Sequence, residues 1–297
     1  MTNTVISPDQ ARANLLGSLW MVAAMAGFAV EDMFLKSAAQ SLPVGQVMVL
    51  FGLGGAIVFW TAARLRRETI LAPQAFGRTM MIRNGFEVMG RLFYTLAIAL
   101  TPLSATTAIL QATPIVVVAG AAIFFGETVG WRRWTAIIVG LAGVLVILRP
   151  GADSFDALSI LAVLGMLGFA GRDLATRAAP PALGTSALGV FGFSAIVLAG
   201  IAFSIWDGTS WRMPDAMVGG AVALAIGFGV GAYSSLTRAM RTGEVSAVTP
   251  FRYSRLIFGI GFGIVIFGER PDAATYVGSA IVVLSGLYIL SRSRRAR

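Results

Sequence analysis

Ten apolar runs follow one another from residue 15 to residue 291 with only short polar breaks between them. Each is near the roughly 20 residues that a helix needs to cross the hydrocarbon core of a bilayer. Inside hydrocarbon every backbone N–H and C=O must be paired within its own segment, so a chain of this kind is expected to fold as a bundle of helices. The runs predict helices over 15–35, 44–64, 79–100, 104–125, 132–149, 157–177, 184–205, 216–240, 245–267 and 273–291. The breaks carry turn chemistry: "SLPVG", "TPLS", "RPGADSFD", "APPALG", "WDGTSWRMPD" and "RTGE". None is long enough to link separate domains, and the fold class expected is an all-α, polytopic membrane protein.

Composition agrees with lipid as the main partner. The chain is 57% hydrophobic and 12% charged, against roughly 45 to 50% apolar residues in soluble domains. The net charge of +9 is spread over helix ends, where no block interleaved with aromatics would suit nucleic acid. Fourteen basic residues, from Arg12, Arg64, Arg66 and Arg67 to Arg292, Arg294, Arg295 and Arg297, fall at one set of ends. Only Lys36, Arg149, Arg212 and Arg270 fall at the other. That bias places both termini in the cytoplasm and suits a bacterial inner membrane. With no cysteine and no histidine, disulfides, thiolate nucleophiles and the commonest metal ligands are excluded. No cofactor, metal or enzymatic activity is expected, and any proton coupling falls to carboxylates. The first run has an Arg-containing head, as a signal peptide would, but it is needed as the first helix of an internal repeat.

That repeat shows at an offset of 142 residues: "SA" at 104–105 returns at 246–247, and "FGE" at 125–127 returns at 267–269. Each copy holds five helices, the first in residues 1–149 and the second in 150–297. An odd number reverses the second copy in the membrane, the inverted topology on which many secondary transporters are built. The loops carrying Glu127 and Glu269 are therefore expected on opposite sides. The two "TP" pairs, at 113–114 and 249–250, do not align at this offset and read as unrelated kinks.

The stretches "FYTLAIALTPLSATTAILQATPI", "FFGETVGWRRW", "VGLAGVLVILRPG", "VSAVTPFRYSRLIFGIGFGIVIFGERPD" and "VGSAIVVLSGLYIL" resemble the drug/metabolite transporter superfamily in its ten-helix form with two EamA-type repeats. The resemblance covers essentially the whole chain. It implies a secondary transporter that works by alternating access. The branch with amino-acid exporters, including aromatic amino-acid exporters, looks most similar, and a carrier for S-adenosylmethionine or a nucleotide-like metabolite is the alternative.

Charged residues inside the runs mark the candidate site. Asn84, Glu87, Arg91 and Tyr94 are spaced three, four and three, which sets them on one stripe of the third helix. Arg91 lies roughly 15 to 20 Å from the start of that helix, near the middle of the membrane. A charge there costs at least about 2.5 kcal/mol and calls for an interior position with a partner. Glu87 is the nearest partner. Arg252 and Arg255 form a stripe on the ninth helix with Tyr253 alongside, and pairing to Asp173 competes with ligand binding as their role. Gln111 stands on the fourth helix. At the 142 offset Gln111 matches Tyr253 and Arg91 matches Tyr233, so the two copies would offer different groups to an asymmetric ligand. Glu31 and Asp32 lie toward the outer end of the first helix, either wetted at the interface or placed to receive an amino group or a proton. Counting Arg91, Arg252 and Arg255 against Glu87 favours a ligand with a carboxylate or phosphate. Trp20, Phe28, Phe34, Phe86, Phe93, Tyr94 and Tyr233 are available as an aromatic wall.

Overall fold

The computed structural model describes residues 8–70, 73–125, 130–149, 157–177, 184–242 and 249–295, with no strand among them. The α-helices are α1 (Pro8–Ala39), α2 (Val44–Leu65), α3 (Arg78–Leu100), α4 (Leu103–Leu110), α5 (Thr113–Phe125), α6 (Trp131–Leu148), α7 (Ile160–Arg177), α8 (Thr185–Asp207), α9 (Ala216–Thr242), α10 (Ser254–Phe267) and α11 (Ala273–Arg295). With α4 and α5 as one broken span these are the ten helices expected. Six spans pass on length and hydropathy alone; α3 is long enough, but Arg83, Glu87 and Arg91 set it apart.

Local chemistry sets the helix ends. Asp215 and Asp272 accept the N–H groups of Val218 and Thr275, each at 2.8 Å, and so cap α9 and α11. Gly208 and Gly268 close α8 and α10 in the left-handed region, at φ 66° and 63°, where glycine pays no Cβ penalty.

The helices pair across the two halves. α1 lies along α9, α2 along α8, α3 along α7, α4 against α10 and α6 along α11. Numbered within each half, the first span meets the third, the second meets the second, the third meets the first, the fourth meets the fourth and the fifth meets the fifth. A two-fold axis between inverted repeats requires this reciprocity. Small residues bring the partners close: Gly27 meets Ala232, Gly168 meets Gly90, and Gly143 meets Gly278.

These contacts refine the repeat. Gly27–Ala232 and Gly168–Gly90 are one contact seen in both halves. Ala232 follows Gly90 by 142 residues, but Gly168 follows Gly27 by 141, and "GFA" at 27–29 recurs at 168–170. The first helices are thus offset one residue less than the third, which makes Phe28 and Asp32 the counterparts of Phe169 and Asp173.

Two spans in which unrelated proline kinks were expected are interrupted outright. The fourth breaks at Gln111 and Ala112, between α4 and α5. The ninth is a 3-10 turn over Thr249–Tyr253 before α10 begins at Ser254, 142 residues after Ala112. The breaks are repeat-related although their prolines are not. Pro114 is the second residue of α5, where the missing N–H costs little, while Pro250 lies within the 3-10 turn. Glu127, Ser246 and Ala247 fall outside the described residues.

Candidate functional site

Nine charged side chains from α1, α3, α7 and the start of the ninth span meet in the bundle interior. Glu87, only 1% exposed, is their hub. It accepts from Arg91 Nε at 3.2 Å, from Arg172 Nη1 at 3.4 Å and from Arg83 Nη2 at 3.5 Å. Arg83 and Arg91 stand four residues to either side of Glu87, so α3 alone brings both to it.

The network branches at Glu31 and Asp32, which are consecutive on α1. Arg91 Nη1 reaches Glu31 Oε1 at 3.4 Å. Arg255 Nη2 reaches Asp32 Oδ2 at 2.6 Å, and the Tyr94 hydroxyl donates to the same oxygen at 2.9 Å. Two adjacent acids thus hold one arginine from each half of the protein. On α7, Asp173 is held by Arg172 at 2.8 Å and by Arg252 at 3.5 Å.

The repeat-related residues do the same work twice. Phe28 stacks under Arg255, with 5.2 Å from its ring to the guanidinium, while Asp32 pairs with that arginine. Phe169 stacks under Arg172 at 4.9 Å while Asp173 pairs with it, and also lies 5.6 Å from Arg91. Each half therefore supplies an aromatic face and, four residues on, a carboxylate that together orient a guanidinium.

Several sequence expectations change here. Glu31 and Asp32 are 1% and 2% exposed, so they are buried partners of arginine rather than wetted residues at a helix end. Including them, Asp173, Arg83 and Arg172 gives five guanidiniums and four carboxylates, and the excess of positive charge falls to one. The outlying residues are held by the two helix breaks. Gln111 donates to the Arg252 carbonyl at 3.1 Å, joining one break to the other. Tyr253 is buried with its hydroxyl beside Gly286 of α11, away from the charges. Tyr233 is not outlying: it packs edge-on to Phe59 at 5.4 Å and lies within electrostatic reach of Arg83, Glu87 and Arg172. Trp20 stacks on Arg238, and Phe34 on Phe228.

Arg83 and Arg172 were missed as site residues, while Asp173, expected as a partner for the arginines of the ninth span, does pair with Arg252. Arg83 had a usable signal, its place one turn before Glu87 on the same stripe. The "RD" at 172–173 had one too, since two charges interrupt an apolar run.

Exposure grades along the network. Asp173 and Arg252, toward the end of the bundle where both termini lie, have side chains 22% exposed, while the side chain of Glu31 is 2% exposed. At the opposite end Lys36 and Glu269 close the bundle at 3.3 Å. Two unpaired buried atoms adjoin the centre, Glu31 Oε2 and Arg255 Nε. Among the described residues no group of acids is arranged to hold a metal ion.

A sequence profile of the EamA-like transporter family matches residues 15–149 and 157–292. The riboflavin transporter of Vibrio cholerae is 28% identical, covering 95% of this chain and 97% of its own. An S-adenosylmethionine uptake transporter of Rickettsia conorii is 23% identical over 97% of both chains. A pseudopaline exporter of Pseudomonas aeruginosa is 28% identical over 94% of this chain and 97% of its own. A solved crystal structure shares the fold, with a TM-score of 0.63 and 18% identity over 95% of this chain and 99% of that one.

Proposed function

The chain belongs to the EamA-like transporter family, and we propose that it exports amino acids, neutral or aromatic, across the bacterial inner membrane by alternating access around the central charge network. The family makes it a multi-pass membrane carrier of small molecules. The amphoteric character of the network supports a zwitterion as cargo. Glu31 and Asp32 hold Arg91 and Arg255, one from each half, and each pair leaves an atom without a partner, Glu31 Oε2 and Arg255 Nε. A ligand carboxylate competes for a guanidinium that already accepts carboxylate geometry, and its ammonium takes the acid thereby released. The interior then stays balanced in charge at every step.

In this reading Glu87, Arg91, Tyr94 and Arg255 bind cargo, while Glu31 and Asp32, with Glu87, couple movement to protons or to the cargo's ammonium. Gln111 and Arg252 join the two breaks about which the halves, 1–149 and 150–297, rock. Tyr233 and Tyr253 support the surrounding walls. The excess of arginine at one set of helix ends supports cytoplasmic termini.

A second reading is a carrier for S-adenosylmethionine or another nucleotide-like metabolite, favoured by the names of the Rickettsia relatives. The purified protein should be melted in the presence of the L-amino acids, S-adenosylmethionine and riboflavin. A cargo at 100 times its dissociation constant adds about 2.7 kcal/mol of apparent stability. A raised melting temperature with one or more amino acids is expected. A shift with S-adenosylmethionine or riboflavin, and with no amino acid, would replace the first reading by the second.

A further inference from the structure

Glu269 follows directly on the left-handed Gly268, and that turn carries its carboxylate back along α10 to the start of α4. There it accepts the N–H groups of Leu103 at 2.7 Å and Ser104 at 3.0 Å, so a residue of the second half caps a helix of the first. Lys36 from α1 lies 3.3 Å from the same carboxylate and donates to the Thr101 carbonyl at 2.7 Å, where α3 ends. Side chains on both sides of the ion pair are 11% exposed. Three residues on, Asp272 pairs with Arg149 at the end of α6 and caps α11. One short loop thus ties α1, α4 and α6 to the second half, with the end of α3 held by Lys36, all at the end of the bundle away from the termini.

The seat for Glu269 depends on Gly263. A Cβ there would stand about 2.5 Å from Glu269 Oε2, too close for a Cβ contact, and 3.1 Å from its Cδ, so the carboxylate would have to shift. Burial would raise the Glu269 carboxyl, but the N–H donors of Leu103 and Ser104 and the charge of Lys36 outweigh it and hold the group below the usual carboxylate value. The anion is therefore what the seat is shaped to take.

α4 gives this arrangement reach. It is a single eight-residue segment, capped by Glu269 at one end and joined at the other, through Gln111, to the Arg252 carbonyl. Moving its start moves its end, which is beside the charge network. We propose that Lys36, Glu269 and the first turn of α4 form the gate at this end of the pathway, seated by Gly263, and that its release swings α4 and opens the network to this side while the opposite side closes. The gate acts whatever metabolite is carried, so it stands or falls apart from the reading above.

The native chain has no cysteine, so single-cysteine labelling reads the gate directly, in detergent, where a polar maleimide has access to both ends. Thr107→Cys reports the gated side: Thr107 is wholly buried one turn below Ser104, against Gly259. Asn84→Cys reports the other side, where Asn84 is half-buried on α3. Glu269→Gln and Lys36→Met each weaken charge-assisted bonds, and Gly263→Ala displaces Glu269 with every charge retained. In each variant labelling at position 107 should rise at least about tenfold, the bias that one lost bond of this class gives, and labelling at position 84 should fall. Unchanged labelling at 107 in all three variants overturns the gate. So does a rise at both reporters together, which a loosened bundle would produce.

Discussion

At the level of single residues, Glu87 and Arg91 differ in what they hold together. Glu87 answers three guanidiniums, and its replacement by glutamine leaves Arg83, Arg91 and Arg172 facing a neutral amide. Breaking a buried ion pair from one side costs about 3 to 5 kcal/mol, so Glu87→Gln should melt well below the native protein. Arg91→Gln leaves Glu87 with two arginines and keeps a donor toward Glu31, and should cost roughly 1 to 3 kcal/mol. Thermal unfolding of the two variants side by side checks this, and equal losses would contradict the assignment of Glu87 as the hub. The pairing of Glu87 with Arg91 could be read from a spacing of four residues, because a helix alone brings those groups together. The pairings of Asp32 with Arg255 and of Glu31 with Arg91 span 223 and 60 residues; they follow from how helices pair, which no local spacing encodes.

Among the elements, the apolar runs together with the turn residues between them located the spans, because the requirement to pair backbone groups in lipid acts on each segment separately, although only six spans pass on length and hydropathy alone. Hydropathy passed over the breaks at 111–112 and 249–253, because a few polar residues there, Gln111, Thr249 and Arg252, do not end an apolar run of this length. The one-residue slip between "GFA" at 27 and at 168 likewise showed only when Gly27–Ala232 and Gly168–Gly90 proved to be one contact. That contact makes a test of helix pairing. A side chain on Gly168 would run into the backbone of Gly90, so Gly168→Leu must push α7 off α3 and with it Arg172 off Glu87. Overpacking of this kind costs about 1 to 3 kcal/mol, and loss of the ion pair adds to it. The variant should melt lower and transport poorly. Gly220→Leu on α9, where the residue is exposed and no neighbour stands within 4 Å of a Cβ, should be far better tolerated, and equal sensitivity of the two would argue against the α3–α7 pairing.

For the whole molecule, the halves meet through reciprocal helix pairs, share one charge network and are tied at one end by a loop of the second half. The described conformation closes the end away from the termini and leaves Asp173 and Arg252 the more accessible part of the network, as a carrier loading from the terminal side requires. The central claim is that this network carries an amino acid. Counterflow in proteoliposomes preloaded with unlabelled L-amino acids and exposed to the labelled mixture tests it most directly. Saturable counterflow by the native protein, lost in Arg91→Gln protein that remains folded, is the result predicted. Absence of counterflow for every amino acid, or native flux in Arg91→Gln, would contradict the account.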